Sequence, residues 1–228
     1  MSKTALVGGT RRGARAPSAR TRVRRVPARG VYEREAVHAI LDAGLLCHVG
    51  YVIDGQPYVT PTAHWREGDH LYWHGSSASR MLRAQGAGVP VCVTVSLLDG
   101  IVLARSGFHH SMNYRSVMAL GTAEPVEAPE AKLAALQGFA ERVAPGRWQE
   151  VRPPTNQELK ATTIMRLVLD EVSAKVRTGP PVDDEADYAL PCWAGVVPVA
   201  IRAEPPQPDP RLPAQTPMPS YIAALRLG

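Results

Sequence analysis

Between positions 70 and 82 the chain reads His70-Leu71-Tyr72-Trp73-His74-Gly75-Ser76-Ser77-Ala78-Ser79-Arg80-Met81-Leu82. A strand-like run delivers a Gly/Ser turn, and the turn opens a helix. The hydroxyls of Ser76, Ser77 and Ser79, the Arg80 guanidinium and the free backbone N–H groups of a first helical turn are the groups that hold a phosphate. The glycine spacing and Lys-Ser/Thr pair of a Walker loop are absent. The same serines would also serve as an ordinary helix N-cap. A second stretch, His109-His110-Ser111-Met112-Asn113-Tyr114-Arg115-Ser116-Val117, places a cation beside hydroxyls at the start of a strand. Arg115 suits a forked contact to phosphate or carboxylate, and it equally suits an exposed edge strand. A third, Ser173-Ala174-Lys175-Val176-Arg177, closes the last expected strand with a further cation, or simply with a solvated end.

The chain has seven histidines. His48, His64 and His74 would converge if their hairpins stack, and a neutral imidazole can ligate haem iron. His109 and His110 adjoin, so on a strand they point to opposite faces and do not chelate together. No HExxH motif or Cys/His cluster supports zinc. The three cysteines, Cys47, Cys92 and Cys192, are scattered. They suggest neither a disulfide framework nor a metal site, and a reducing cytoplasm is the expected compartment.

The net charge of +5 is unevenly spread. Residues 1–30 hold nine basic side chains and no acidic one, which leaves residues 31–228 at about −4. The basic leader is Gly/Ala/Arg-rich and holds too little apolar surface to fold alone. It has no aromatic residue to stack on bases. Residues 1–26 are therefore expected to be a disordered tail, with nucleic acid not expected as a partner. No apolar run approaches the ~20 residues that span a bilayer.

The elements that must position these groups follow from periodicity. Ala36, Val37, Ile40 and Leu41 form one helical stripe over residues 33–42, stopped by Gly44. Residues 45–53 and 56–65 read as a hairpin about Asp54-Gly55, the second strand interrupted by Pro61. Residues 70–74 form a strand, followed by a short helix from Ser79. Residues 89–97 and 101–104 read as two strands separated by Asp99-Gly100. Residues 113–126 make another strand, 129–143 a helix with Pro near N1, and 164–174 a final strand. Thr155-Asn156-Gln157-Glu158 is a capping box opening one more helix. Residues 204–219 hold seven prolines, so 199–228 read as a Pro-rich tail. Six or seven antiparallel strands with short hairpins and peripheral helices predict a mainly β barrel.

In order, His-Gly-Ser-Ser-Ala-Ser-Arg (74–80), Asn-Tyr-Arg-Ser-Val…Gly-Thr-Ala (113–123) and Glu-Val-Ser-Ala-Lys-Val-Arg (171–177) resemble the flavin-nucleotide-binding proteins of the pyridoxamine 5′-phosphate oxidase superfamily. The Nim-like, nitroimidazole-resistance branch is the most similar. The hairpin from Cys47 to Pro61 fits it as well, and the resemblance covers residues 27–198. It implies a homodimeric split barrel with FMN at the subunit interface. Ser76, Ser77, Ser79 and Arg80 would form the phosphate turn. Arg115 and Ser116 would add to it from a neighbouring strand, and Lys175 would lie near the cofactor. Thr60 and Pro61 would present backbone to the flavin ring, and Trp193 would cover it. His74 is implied as the active-site residue, donating a proton or orienting a small acceptor such as a nitro-aromatic compound. A nicotinamide or deazaflavin would supply the electrons. The substrate-binding arginine pattern of true pyridoxamine phosphate oxidases is absent. The superfamily also holds haem binders and haem degraders, so haem is the alternative cofactor, and a non-catalytic flavin carrier is a further alternative.

Overall fold

The structure is a computed structural model, and it describes residues 14–225. Two antiparallel half-sheets share one long strand. The chain runs through β1 (Gly30–Val31), α1 (Arg34–Ala43), β2 (Leu46–Ile53), β3 (Gln56–Glu67), β4 (His70–Ser76) and α2 (Arg80–Gly86). It continues through β5 (Pro90–Leu103), β6 (Ser111–Thr122), β7 (Glu124–Pro125), α3 (Pro129–Val143), α4 (Asn156–Ala161), β8 (Thr162–Val168) and β9 (Glu171–Arg177). It ends with β10 (Gly195–Pro198) and α5 (Ser220–Ala223). Strand order is β1-β9-β6-β5-β2-β3-β4-β8-β7, with β10 added to β5. The larger sheet runs from β1 to the first part of β3; the smaller runs from the end of β3 to β7. This is the expected split barrel, with ten strands among the described residues rather than six or seven. Three of the additions, β1, β7 and β10, are two to four residues long and carry no periodic signal.

The core is built by alternation. Cys47, Val49 and Tyr51 on β2, Val91, Val93, Val95 and Leu97 on β5, and Val117 and Ala119 on β6 point into one buried cluster. Leu71 and Trp73 on β4 and Met165 and Leu167 on β8 meet them from the smaller sheet. α1 sets its Val37, Ile40 and Leu41 stripe into the same cluster. The helix stops at Gly44 for a steric reason. Its φ of −90° is ordinary, but a Cβ there would lie 2.6 Å from Val95 Cγ1. The hairpin after β2 does need backbone freedom, since Asp54 and Gly55 both have positive φ, 52° and 77°.

A smaller cluster lies outside the smaller sheet, where α3 covers Trp65 and Ile164 with Ala135, Leu136 and Phe139. The Thr155–Glu158 capping box forms as expected and opens α4.

Four element boundaries differ from expectation, one being the strand expected over 113–126, which is β6 in the larger sheet and β7 in the smaller. Pro61 does not interrupt β3. In that part β3 pairs only with β2, His48 opposite Pro61, and pairing with β4 begins at His64. An edge segment loses no ladder bond to proline. β5 runs straight through Asp99-Gly100, which forms a bulge opposite β6. The single strand expected over 164–174 is two strands, β8 in the smaller sheet and β9 in the larger. They join at Leu169-Asp170, a turn without Gly or Pro.

Of the expected disordered leader, residues 1–13 lie outside the described residues. Residues 14–26 are irregular but lie on the barrel. Thr21 is buried, Arg20 pairs with Glu171, and the Val23 N–H donates to Tyr32 Oη at 2.8 Å. The Pro-rich stretch is irregular as expected and is followed by α5, where Tyr221 Oη donates to Glu150.

His64 is fully buried, its Nε2 donating to the Leu41 carbonyl at 3.0 Å and its Nδ1 without a partner. Burial lowers its pKa, so the folded protein keeps it neutral where the unfolded chain, at about 6.5, takes a proton. Its contribution is whole above that value and is lost as pH falls, at up to about 1.4 kcal/mol per pH unit. Urea denaturation between about pH 7.5 and 5.5 should show a shallower decline in a His64→Gln variant than in the wild type; equal slopes would refute the assignment.

Candidate functional site

The registers of β5, β6 and β9 decide which polar side chains share a surface. Ser96 opposes Ser116, and Ser116 opposes Lys175; Thr94 opposes Met118, and Met118 opposes Ser173. Cross-strand partners lie on one face. Their neighbours Val93, Val95, Val117 and Ala174 fill the core, so this polar set faces outward. Residues 21–25 cross the same face as a strap. Together they wall a cleft of about 380 Å³. Thr21, Thr94, Ser96, Ser116 and Ser173 line it with hydroxyls, and Arg22, Arg24, Arg25 and Lys175 with cations. Among the described residues, no carboxylate lines it. Such a set suits a phosphate-bearing anion. The strap is held at its buried end by a local turn, in which Thr21 Oγ1 donates to the Ser18 carbonyl at 3.1 Å.

Two of the expected residues meet here. Ser116 Oγ donates to the Lys175 carbonyl at 3.3 Å, and both side chains line the cleft. Pro61 shares the face, since it opposes His48 and His48 opposes Thr94. Thr60 points the other way, toward the barrel interior, with its Oγ1 3.1 Å from Tyr51 Oη.

Arg115 is also turned away from Ser116. It opposes the buried Leu97, and its guanidinium forks onto Asp99, Nε to Oδ2 at 3.0 Å and Nη2 to Oδ1 at 2.8 Å. The Asp99 contacts raise its pKa further. The expectation that Arg115 and Ser116 act on one headgroup from one strand therefore fails within a protomer. Adjacent strand residues face apart, and the fork is taken by a bulge carboxylate.

The 76–80 turn forms at the end of β4 and does not line the cleft. Ser79 caps α2, accepting from the Leu82 N–H at 3.4 Å; Ser76 Oγ accepts from the Ala78 N–H at 3.2 Å. The Ser77 N–H donates to the Ala161 carbonyl at 2.8 Å. Arg80 lies over the Tyr58 ring, 4.4 Å from its centroid. Trp193 is 68% exposed. It lies against Gly195 of β10, where a Cβ would come within 2.9 Å of the indole.

The three histidines that were expected to converge occupy three environments. His48 is exposed on the outer face of the larger sheet, and His64 is in the core. His74 lies beneath α3, its ring 4.6 Å from Phe139 and 5.8 Å from Trp65 between centroids. Its Nδ1 is buried without a partner, and burial lowers its pKa. His109 and His110 precede β6 in a loop rather than on a strand. Among the described residues, no group of three His, Cys, Asp or Glu is placed to hold a metal ion.

Sequence reasoning missed the strap arginines. Their signal was the alternation Thr21-Arg22-Val23-Arg24, buried or half-buried residues between exposed ones. It marks an extended segment lying on a surface, but the surrounding Arg/Gly/Ala composition hides it.

A family model described as pyridoxamine 5′-phosphate oxidase matches residues 33–176. The flavocytochrome Anf3 from Azotobacter vinelandii is 49% identical over 94% of this chain and all of its own, with a TM-score of 0.90. The FAD and heme binding protein from Mycobacterium smegmatis is 38% identical over 87% of this chain and 97% of its own, with a TM-score of 0.84. A candidate 5-nitroimidazole antibiotic resistance protein from Bacteroides thetaiotaomicron shares the fold, at 24% identity over 64% of this chain and 86% of its own and a TM-score of 0.53. No curated protein sequence matches the chain.

Because Asp99 occupies the Arg115 fork, Arg115→Met should cost about 1 kcal/mol of stability, the range of a half-exposed pair. Affinity for an anion in the cleft should change by less than about twofold, well under the effect of losing a direct charged contact. Denaturation and calorimetric titration of the variant check the two halves; a large loss of anion affinity would make Arg115 a ligand after all.

Proposed function

The chain belongs to the pyridoxamine 5′-phosphate oxidase family, and from that premise we propose that it binds a flavin nucleotide by its phosphate in the strap-covered cleft. The observation that carries the reading is the lining itself: among the described residues, one sheet face and the strap across it bring together five hydroxyls and four cations with no carboxylate. The residues fit the group. Lys175 and the strap arginines offset the phosphate charge, and Ser96 and Ser116 offer short-reach donors beside it. The sequence resemblance implies FMN, whereas the M. smegmatis relative is named for FAD, so both nucleotides belong in the test.

When bound, the flavin supplies the electron transfer; the protein supplies binding, orientation and shielding. The reading is of a redox flavoprotein that passes electrons from a nicotinamide or deazaflavin to a small acceptor. A second copy is part of it. Leu46, Val52, Val59 and Leu98 are exposed on the outer face of the larger sheet, an apolar surface that a partner subunit would cover. The 76–80 turn lies apart from the cleft within one protomer, so its serines and Arg80 would reach a flavin only across a subunit boundary. The packing around His74 supports a role in seating α3. The unpaired cysteines suit a reducing cytoplasm.

Haem is a second reading, favoured by His48. Of the three candidate histidines it alone is exposed, beside Leu46 and Pro61 on the apolar face. A flat apolar surface with one free imidazole suits a porphyrin and its iron, and the two most similar relatives described above are named for a flavocytochrome and for heme.

Purified protein should take up FMN or FAD at micromolar concentration with a flavin absorbance spectrum, and Lys175→Met should weaken uptake about tenfold or more. Protein that stays colourless with both nucleotides would end the flavin reading. Titration with haemin should give a Soret band that is lost in His48→Ala and kept in His74→Phe; a band insensitive to His48 would remove its assignment as ligand.

A further inference from the structure

The wall formed by Arg25 and Lys175 has a second side. Beyond it lies another depression, of about 590 Å³, which those two residues also line. Its distinctive member is Arg177, which is 7% exposed. The guanidinium donates to the Asn113 side chain and to the carbonyls of Gly179 and Pro180, and its Nε has no partner. Each of these acceptors is neutral. Among the described residues, Arg25, Arg29, Lys175 and Arg177 form no ion pair with a carboxylate.

The acids Glu171, Asp183 and Asp184 are engaged otherwise, Glu171 by Arg20. Asp183 accepts from the Arg105 backbone at 2.9 Å and from its guanidinium at 3.1 Å, and Asp184 lies 3.4 Å from His109. Burial, together with the charge of Arg29, disfavours the charged form of Arg177, yet a guanidinium does not give up its proton in proteins. A buried cation without a counter-charge is a costly arrangement, and like charges gathered round it add to the cost. An anion of more than one charge relieves both. At the rim, Phe108 is 88% exposed, an aromatic face available to a base.

We propose that this depression binds the diphosphate of a nucleotide, with Arg29 and Arg177 on the phosphates and Phe108 against the base. The inference rests on the flavin reading only for the wall the two sites share. The diphosphate has two sources: the adenylate half of a flavin dinucleotide reaching across that wall, or a separate nicotinamide nucleotide that delivers electrons.

The test is calorimetric titration of the full-length, FMN-loaded protein with ADP at low salt. Saturable binding is expected, weakened about tenfold or more by Arg29→Ser, with FMN absorbance retained. Arg177→Met should do the same; Arg29→Ser carries the test if loss of the buried Arg177 prevents folding. Repeating the titration on FAD-loaded protein separates the sources. Exclusion of ADP assigns the site to the adenylate half, and retained binding that NADPH displaces assigns it to a donor. No saturable ADP binding, or binding indifferent to Arg29→Ser, overturns the proposal. If the protein takes no flavin at all, the same ADP titration of the flavin-free protein reads this site separately from the first.

Discussion

A strand has two faces, and in the larger sheet only one of them can be core. Filling the barrel uses Val49, Val93, Val95, Val117 and Ala174, and this leaves Thr94, Ser96, Ser116 and Lys175 outside in a contiguous array. The polar surface is thus a by-product of closing the barrel. A one-residue slip of β6 would bury Ser116 and expose Val117, costing core and site at once. The long β5·β6 ladder, twelve residue pairs with one bulge, therefore sets both stability and chemistry. The bulge at Asp99 is where the register of that ladder shifts, and there Arg115 finds its carboxylate.

That rule also explains how much of the molecule could be read from residues alone. The hairpin at Asp54-Gly55, the α1 stripe, α3 and the α4 capping box are local statements, and each formed where the sequence placed it. The turn at Leu169-Asp170 has neither Gly nor Pro, only the acidic pair Asp170-Glu171; β8 and β9 part because each is claimed by a different half-sheet. Site residues divided along the same line. Ser116 and Lys175 were legible as chemistry-bearing, but that they oppose one another is a property of register. Arg115 and Ser116 are neighbours in sequence but face apart on the strand, so within one protomer the Arg115 fork goes to Asp99 rather than to the cleft. His48, His64 and His74 were grouped on hairpin stacking, and the sheet order separates them into surface, core and helix-covered positions.

Composition misled at the leader for a different reason. A segment too polar to fold alone can still order on a surface that others have built, because its entropic cost is then set against a ready-made template. Here the buried Thr21, the Arg20–Glu171 pair and the Val23–Tyr32 bond supply that template. The charges of Arg22, Arg24 and Arg25 are thereby held against a sheet face lined with hydroxyls.

Placing those cations has an electrostatic consequence that reaches beyond the first cleft. Residues 31–228 carry about −4, so the barrel as a whole attracts a basic strap without any specific contact. Yet the strap lands where Lys175 and Arg177 already stand, among like charges. Long-range attraction brings it to the protein, and short-range anchors must hold it at a locally repulsive address. Such a balance is sensitive to anions. In the flavin reading, a phosphate between strap and sheet would give the strap arginines and Lys175 a shared counter-charge, so the groups that repel one another would be the groups that hold the ligand.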